Sequence, residues 1–444
     1  MTTHHPHPPD TPGQAPPPPL APPSPSPSSS PSSASSSVPS SSLPFGVQLG
    51  LLVAMAFAIP AQLYLAIPVA ERIRTAYGTD AASAAWTGAA FSFAYAVGFL
   101  VFGPLSDRVG RRPVLAWGAL ATAVTTGLTA AAPGLGWFLA GRAAQGFAAA
   151  TFAPAALAYV TERAPAARRP VALSLLTTGL LGAGIAGQVY GQLVTEYADW
   201  RTAFWPPALL YAAAALALWR LLPPDRERAH ASSAPPSPPS SPSSASPRTV
   251  AATALVLLRT RGPATVFAAA LPVFGSFVAF YAVLERELRA TYGYDSNALL
   301  LAQAAGALGL AAAPLLNRRY GEAGPRALAL TGYLSAASGL LLALLAAVLA
   351  QPAALIGAGA LFVAGTGLTV PGCVGLLHQL APQAKGTAGA VNTFALFVGA
   401  SAGQLAAAHL SLVPMLAVLT AATLLAALAL SRTEPPRTRE SLRS

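Results

Sequence analysis

Twelve apolar stretches of about 20 residues dominate this chain, each long enough to cross ~30 Å of hydrocarbon as a helix rising ~1.5 Å per residue. They fall at about 45–70, 85–105, 113–132, 136–160, 170–193 and 203–222, and again at about 264–284, 297–316, 327–349, 353–377, 386–409 and 411–430. Of the 444 residues, 54% are hydrophobic and 9% charged, where a soluble domain carries roughly a quarter charged. A hydrated surface cannot be built from that composition. The expected fold class is an all-α integral membrane protein, because a helix satisfies its own backbone in lipid.

The remaining segments are Pro/Ser-rich. Residues 1–44 read as a disordered cytoplasmic tail, 223–262 as a flexible cytoplasmic linker, and 432–444 as a short cytoplasmic tail. They separate two sets of six spans, 45–222 and 263–431. The tail lacks the basic and apolar regions of a cleavable signal, so the first span is expected to direct insertion. The single cysteine, Cys373, excludes an intramolecular disulfide or a cysteine-based zinc site.

Charge placement sets the expected orientation, since short loops rich in Lys and Arg stay in the cytoplasm. Arg108, Arg111, Arg112, Arg163, Arg168, Arg169, Arg318, Arg319, Arg326 and Lys385 share one set of loops with the linker and the C-terminal tail. Only Arg72, Arg74, Arg201, Arg286 and Arg289 occupy the alternate set. Both termini are therefore expected inside a cell (inner) membrane. The net charge of +11 is a topology signal, and the expected partner is the bilayer, not nucleic acid.

The two sets repeat each other. Glu71-Arg72, Arg74 and Tyr77-Gly78-Thr79-Asp80 are echoed by Glu285-Arg286, Arg289 and Tyr292-Gly293-Tyr294-Asp295. The loop from Gly103 to Arg108 is echoed by Ala313 to Arg318, Pro154 and Pro165 by Pro371 and Pro382, and Ala186-Gly187-Gln188 by Ala402-Gly403-Gln404. Two six-span halves with the same in/out order imply parallel repeats about an axis along the membrane normal, the arrangement of carriers that alternate access to a midplane site.

The strongest local motif is the turn Gly103-Pro-Leu-Ser-Asp107-Arg108-Val-Gly110-Arg111-Arg112-Pro113. The arginines suit the headgroup level, but an acid among them needs its own reason. Asp107 can pair with a neighbouring arginine and face the positive end of another helix, near Gly386 and Thr387, so that a latch forms in one conformation and breaks in another. At these residues the chain resembles the major facilitator superfamily, whose signature loop reads G-x-L-a-D-r-x-G-r-[K/R]. A second family motif, R-x-x-q-G, appears as Arg142-Ala-Ala-Gln145-Gly146. The resemblance covers about residues 45–430 and is closest to the twelve-span bacterial drug/proton antiporter-like branch. In the fifth span that branch ends a signature in G-P-x-x-G-G, where this chain has Gly187-Gln188-Val-Tyr190-Gly191-Gln192. The resemblance implies a conformational latch at Gly103, Asp107, Arg108, Gly110, Arg111 and Arg112.

Arg142 is the one strong charge well inside a span, costing ~2.5 to 3.5 kcal/mol or more at the bilayer centre, and so should face a wet cavity or a partner. Bonding to backbone carbonyls is the structural alternative. Candidate cavity residues are Gln62, Tyr64, Arg142, Gln145, Gln188, Ser276, Tyr281, Gln303, Asn392 and Gln404, whose neutral amides and hydroxyls suit neutral polar or anionic solutes. No Asp or Glu lies mid-span, leaving Glu71 and Glu285 as the acids for proton sensing, with simple surface pairing as the alternative. No catalytic set, metal-ligand cluster, cofactor motif or ATP-binding motif is discernible, so neither an enzyme nor an ATP-driven pump is expected. The resemblance implies proton-coupled efflux of a small organic solute by an antiporter, expected to act as a monomer. Uptake by proton symport is the alternative, and a transporter-derived sensor or scaffold is the alternative of another class.

Overall fold

The computed structural model describes residues 1–2, 44–223 and 247–433, and most of both tails and the middle of the linker lie outside the described residues. Twelve helices among these are long and apolar enough to span a bilayer. The first six are Phe45–Tyr64, Ala81–Val109, Arg111–Ala130, Leu135–Arg163, Val171–Tyr197 and Trp200–Leu221. The second six are Arg261–Ala290, Ser296–Asn317, Pro325–Val348, Pro352–Leu380, Lys385–His409 and Leu412–Ser431. The described residues from 44 onward belong to one compact unit. Large apolar side chains such as Trp117, Leu301 and Leu425 point away from the protein, as lipid requires.

Three local features depart from uniform helices. The first span continues after Leu65 as a short helix, Ala66–Ala76. The fourth breaks between Ala149 and Phe152, where Pro154 withholds the N–H that the Ala150 carbonyl would need. The end of the segment expected as flexible linker is instead a helix, Pro247–Arg259, because its Ala/Val/Leu run follows a proline suited to a helix start.

The sequence echoes now acquire physical causes. Gly78 and Gly293 sit at φ 60° and 64°, a conformation that favours glycine, and end the helices before them. Asp80 and Asp295 then start the second and eighth spans by accepting N–H bonds from Ser83 (2.7 Å) and Ala298 (2.8 Å).

Packing repeats as well. The first span packs on the fifth, the second on the fourth and the third on the sixth. Advancing each number by six gives the pairs seventh with eleventh, eighth with tenth and ninth with twelfth, all observed. The halves meet through the second with the eleventh and, under the same operation, the eighth with the fifth. Glycines set the closest approaches: a Cβ at Gly187 would stand 2.2 Å from the Ala61 carbonyl oxygen, and one at Gly403 would stand 2.2 Å from that of Gly275. One turn earlier, a Cβ at Gly399 would lie 1.8 Å from the Leu271 oxygen.

Gly399→Val should therefore force the seventh and eleventh spans apart and cost ~1–3 kcal/mol, read as a lower unfolding midpoint in detergent. Gly386→Ala, with open space around its Cβ, should leave the midpoint in place. Equal midpoints for the two variants would contradict this packing.

Candidate functional site

A cavity of about 550 Å³ opens between the halves at the face opposite the Arg108–Arg112 turn. Much of its wall is alanine, including Ala66, Ala84, Ala85, Ala282 and Ala407. Glu71, Glu285 and Gln404 also line it. At its floor Gln404 crosses from the eleventh span onto Gly88 of the second, so closely that a Cβ at Gly88 would lie 1.7 Å from Gln404 Oε1. The buried Gln404 Nε2 has no partner.

Beyond Gln404, toward the arginine-rich face, the halves are sealed. Ser401 Oγ donates to the Ala89 carbonyl across the interface at 3.1 Å. One turn on, Phe397 receives the ring of Tyr95 edge-on at 4.6 Å and lies near Phe99 and Phe274 at 5.9 and 5.2 Å. On the other side of the bundle Tyr64 meets Phe277 edge-on at 5.5 Å. The cavity thus ends at Gln404 and Gly88, with the aromatic seal beyond them.

The two repeat-related glutamates differ sharply. Glu71 is 67% exposed and held by Arg74 through Nε at 2.9 Å and Nη2 at 2.6 Å, and these hydrogen bonds draw its carboxyl below the usual range. Glu285 is only 12% exposed, with Arg289 at 3.9 Å and the Gln303 amide donating at 3.3 Å. The spacing explains the contrast. Arg74 follows its glutamate by three residues and closes a bidentate pair, whereas Arg289 follows by four and stays half in solvent.

Arg142 is fully buried among five spans of the first half. Its Nε donates to the Thr87 carbonyl (2.9 Å), Nη2 to the Gln62 carbonyl (2.7 Å) and Nη1 to Gln145 Oε1 (2.6 Å). Gln145 Nε2 in turn reaches Thr126 Oγ1 at 2.8 Å and Gln62 Oε1 at 3.2 Å. The guanidinium lies 4.5 Å from the Phe91 ring centroid. Two of its bonds end on backbone carbonyls, which is the structural arrangement weighed above.

The other cavity candidates, Gln188, Ser276, Gln303 and Asn392, are buried and keep polar atoms without partners. Tyr281 packs against Gly306, where a Cβ would meet its hydroxyl at 2.0 Å. Of the ten candidates, Gln404 alone contributes to the cavity wall among the described residues. Sequence reasoning passed over Gln192 and Tyr190, which also bury unpartnered polar atoms. Their position in the altered fifth-span motif was the available signal.

In the signature turn, Asp107 pairs with Arg111 at 2.5 Å, and Arg111 also reaches Glu162 at 2.8 Å and Ser106 Oγ at 2.7 Å. Glu162, from the end of the fourth span, is a partner that the motif did not announce. Gly110 has φ 106°, and Gly103 has no neighbour where a Cβ would stand. Arg108 is exposed. Arg112 instead leaves the turn, bonding the Trp219 carbonyl and lying 4.8 Å from the Trp219 ring.

Comparison with known proteins places this geometry in a family: the model of the Major Facilitator Superfamily matches residues 51–404. The chain belongs to the Major Facilitator Superfamily. It is 26% identical to the inner membrane transport protein YnfM of Escherichia coli over 285 residues, 63% of this chain and 65% of that one. It is 31% identical to the puromycin resistance protein pur8 of Streptomyces alboniger over 171 residues, 38% of this chain and 33% of that one. The alignments thus span less than two thirds of either relative. Among solved structures, the D-xylose-proton symporter superposes with TM-score 0.68 at 17% identity, covering 88% of this chain and 98% of that one. A bacterial homologue of the lysosomal transporter Spinster, inward-facing and occupied, gives 0.63 at 16% identity over 88% and 97%. These likenesses show the shared twelve-helix fold.

Arg142→Met removes three charge-assisted bonds and strips the donors from Gln145 Oε1 and from the buried Thr87 and Gln62 carbonyls, so it should lower stability by ~3 kcal/mol or more in a detergent unfolding series. Gln404→Ala, which breaks no bond seen here at Nε2, should cost far less. An Arg142→Met protein as stable as wild type would remove Arg142 from the scaffold.

Proposed function

We propose that this protein is a secondary carrier that exports a small organic solute in exchange for protons by alternating access to the space between its two halves. The observation that carries the reading is the cavity itself: open on one face, closed beyond Gln404 by an aromatic seal, and lined by the largely buried carboxyl of Glu285 beside Gln303 and Arg289. A coupled carrier needs a group whose proton affinity differs between conformations, since a ligand shifts an equilibrium only through differential affinity. Closing the mouth would change what surrounds Glu285. Glu71, fixed by Arg74 and drawn below the usual carboxylate range, stays ionised near neutral pH in this conformation and is the weaker candidate.

Gln404, at the cavity wall, would offer its unpartnered Nε2 to a neutral polar or anionic solute; deeper in the bundle Ser276 Oγ and the Asn392 amide are also unpartnered, and Gln188 and Gln303 keep a free Oε1 that can only accept. Arg142 and Gln145 hold the first half rigid behind them. On this reading both termini are cytoplasmic, the open mouth faces outward, and Asp107 with Arg111 acts at the closed side as the latch. Uptake by symport has one observation in its favour, the fifth-span glutamines Gln188 and Gln192 where the antiporter branch places proline and glycine.

The test is flux in proteoliposomes under an imposed proton gradient, using radiolabelled candidate solutes. Glu285→Gln should reduce proton-driven flux to the passive leak while preserving solute counterflow, and Glu71→Gln should retain the wild-type pH profile. Asp107→Asn should slow both modes without altering that profile. An unchanged proton stoichiometry in Glu285→Gln would overturn the coupling role, and flux in the direction of the proton gradient would establish symport.

A further inference from the structure

The helix Pro247–Arg259 has 13 residues, so at ~1.5 Å per residue it spans ~20 Å and cannot cross ~30 Å of hydrocarbon. It is not a continuation of the seventh span. Thr260, at φ −85° and ψ 120°, separates the two. Its N–H closes the short helix on the Val256 carbonyl at 3.0 Å, and its own carbonyl receives the Ala264 N–H at 3.0 Å to begin the span.

One side of this helix is occupied. Leu257, 7% exposed, packs with Ala254 into the apolar core that contains Phe267, Leu377 and Val391. The remaining surface carries Leu255, Val256 and Leu258, exposed by 48%, 63% and 51%. Arg259 and Arg261 follow, both exposed. No Asp or Glu occurs between Glu227 and Glu285, so nothing on this segment neutralises them. The helix also stands where the seventh span begins, at the arginine-rich end of the bundle, which is the headgroup level.

We propose that Pro247–Arg259 lies in the membrane interface and binds anionic phospholipid of the surrounding bilayer. Leu255, Val256 and Leu258 enter the acyl boundary, and Arg259 and Arg261 take the phosphate groups. Apolar residues flanked by uncompensated arginines match the two halves of an anionic lipid, and the buried Leu257 ties that lipid contact to the second half.

The experiment uses the full chain carrying Val256→Cys, labelled with bimane; the native Cys373 is buried. The protein is reconstituted in phosphatidylcholine vesicles or in vesicles containing phosphatidylglycerol, with nitroxide lipids placed near the headgroup or at the chain end. Shallow nitroxides should quench most, and anionic nitroxide lipids should quench preferentially. Each arginine accounts for about a fivefold preference, so Arg259→Gln and Arg261→Gln should remove it and the lysine variants should keep it. Equal quenching by zwitterionic and anionic lipid would overturn the proposal. A label protected from every lipid nitroxide would also overturn it, as would Val256→Cys cross-linking between two copies.

Discussion

The last four carbonyls of each spanning helix have no partner within the helix, and arginines that meet them tie neighbouring spans of this bundle together. Four arginines meet them in two repeat-related pairs. Arg72 donates to the Thr195 carbonyl at the end of the fifth span, and Arg286 to the Ala407 carbonyl (2.8 Å) and that of Leu410 at the end of the eleventh. Arg112 reaches the Trp219 carbonyl at the end of the sixth span, and Arg326 the Ser431 carbonyl at the end of the twelfth. Each is a charge-assisted bond at the negative end of a helix dipole. Each also joins two spans that already pack together. The arginines that violate the loop-charge rule thereby gain a structural reason: Arg201 bonds the Ala132 carbonyl and lies 4.4 Å from the Trp200 ring.

These ties act within halves, while the contacts between halves are of another kind. Across the interface the second span meets the eleventh through one hydroxyl bond, an amide laid over a glycine, and aromatic rings. None of these is an ion pair. A rigid half moving against another needs an interface that parts without stranding charge, and rings and single hydrogen bonds meet that need. The cavity lies where the halves stand apart, and the aromatic seal where they meet. The proposed carrier cycle follows if the related contact, eighth span with fifth, and the second-with-eleventh contact shift together between the two ends.

The fold was largely legible in the sequence because lipid imposes a length on every span and a charge rule on every loop. The echoes were equally informative, since each marks a site with a strict local demand: glycine at positive φ in Gly78 and Gly293, a capping carboxylate in Asp80 and Asp295, a carbonyl-seeking arginine in Arg72 and Arg286. The site was less legible. A span that is apolar all round shows no strong periodic face, so rotation about its axis, which decides whether Gln188 or Gln404 sees the cavity, leaves little trace. Arg142 looked like a cavity residue for the same reason, and its carbonyl partners come from spans remote in sequence. The difference between Glu71 and Glu285 depends on Gln303 of a neighbouring span and on one residue of arginine spacing. The helix at 247–259 hid within a stretch whose composition was otherwise that of a linker.

The central claim is that the two halves move as bodies about the contacts between them. Spin labels on cysteines replacing Ala81 and Ala290, which line the cavity from the two halves, and Thr161 and Gln379, at the arginine-rich end, allow both ends to be measured by electron–electron double resonance. The account predicts two populations in lipid nanodiscs, with the mouth distance shortening as the other lengthens when pH or solute shifts the balance. Distances that stay fixed at both ends, or that lengthen together, would contradict it.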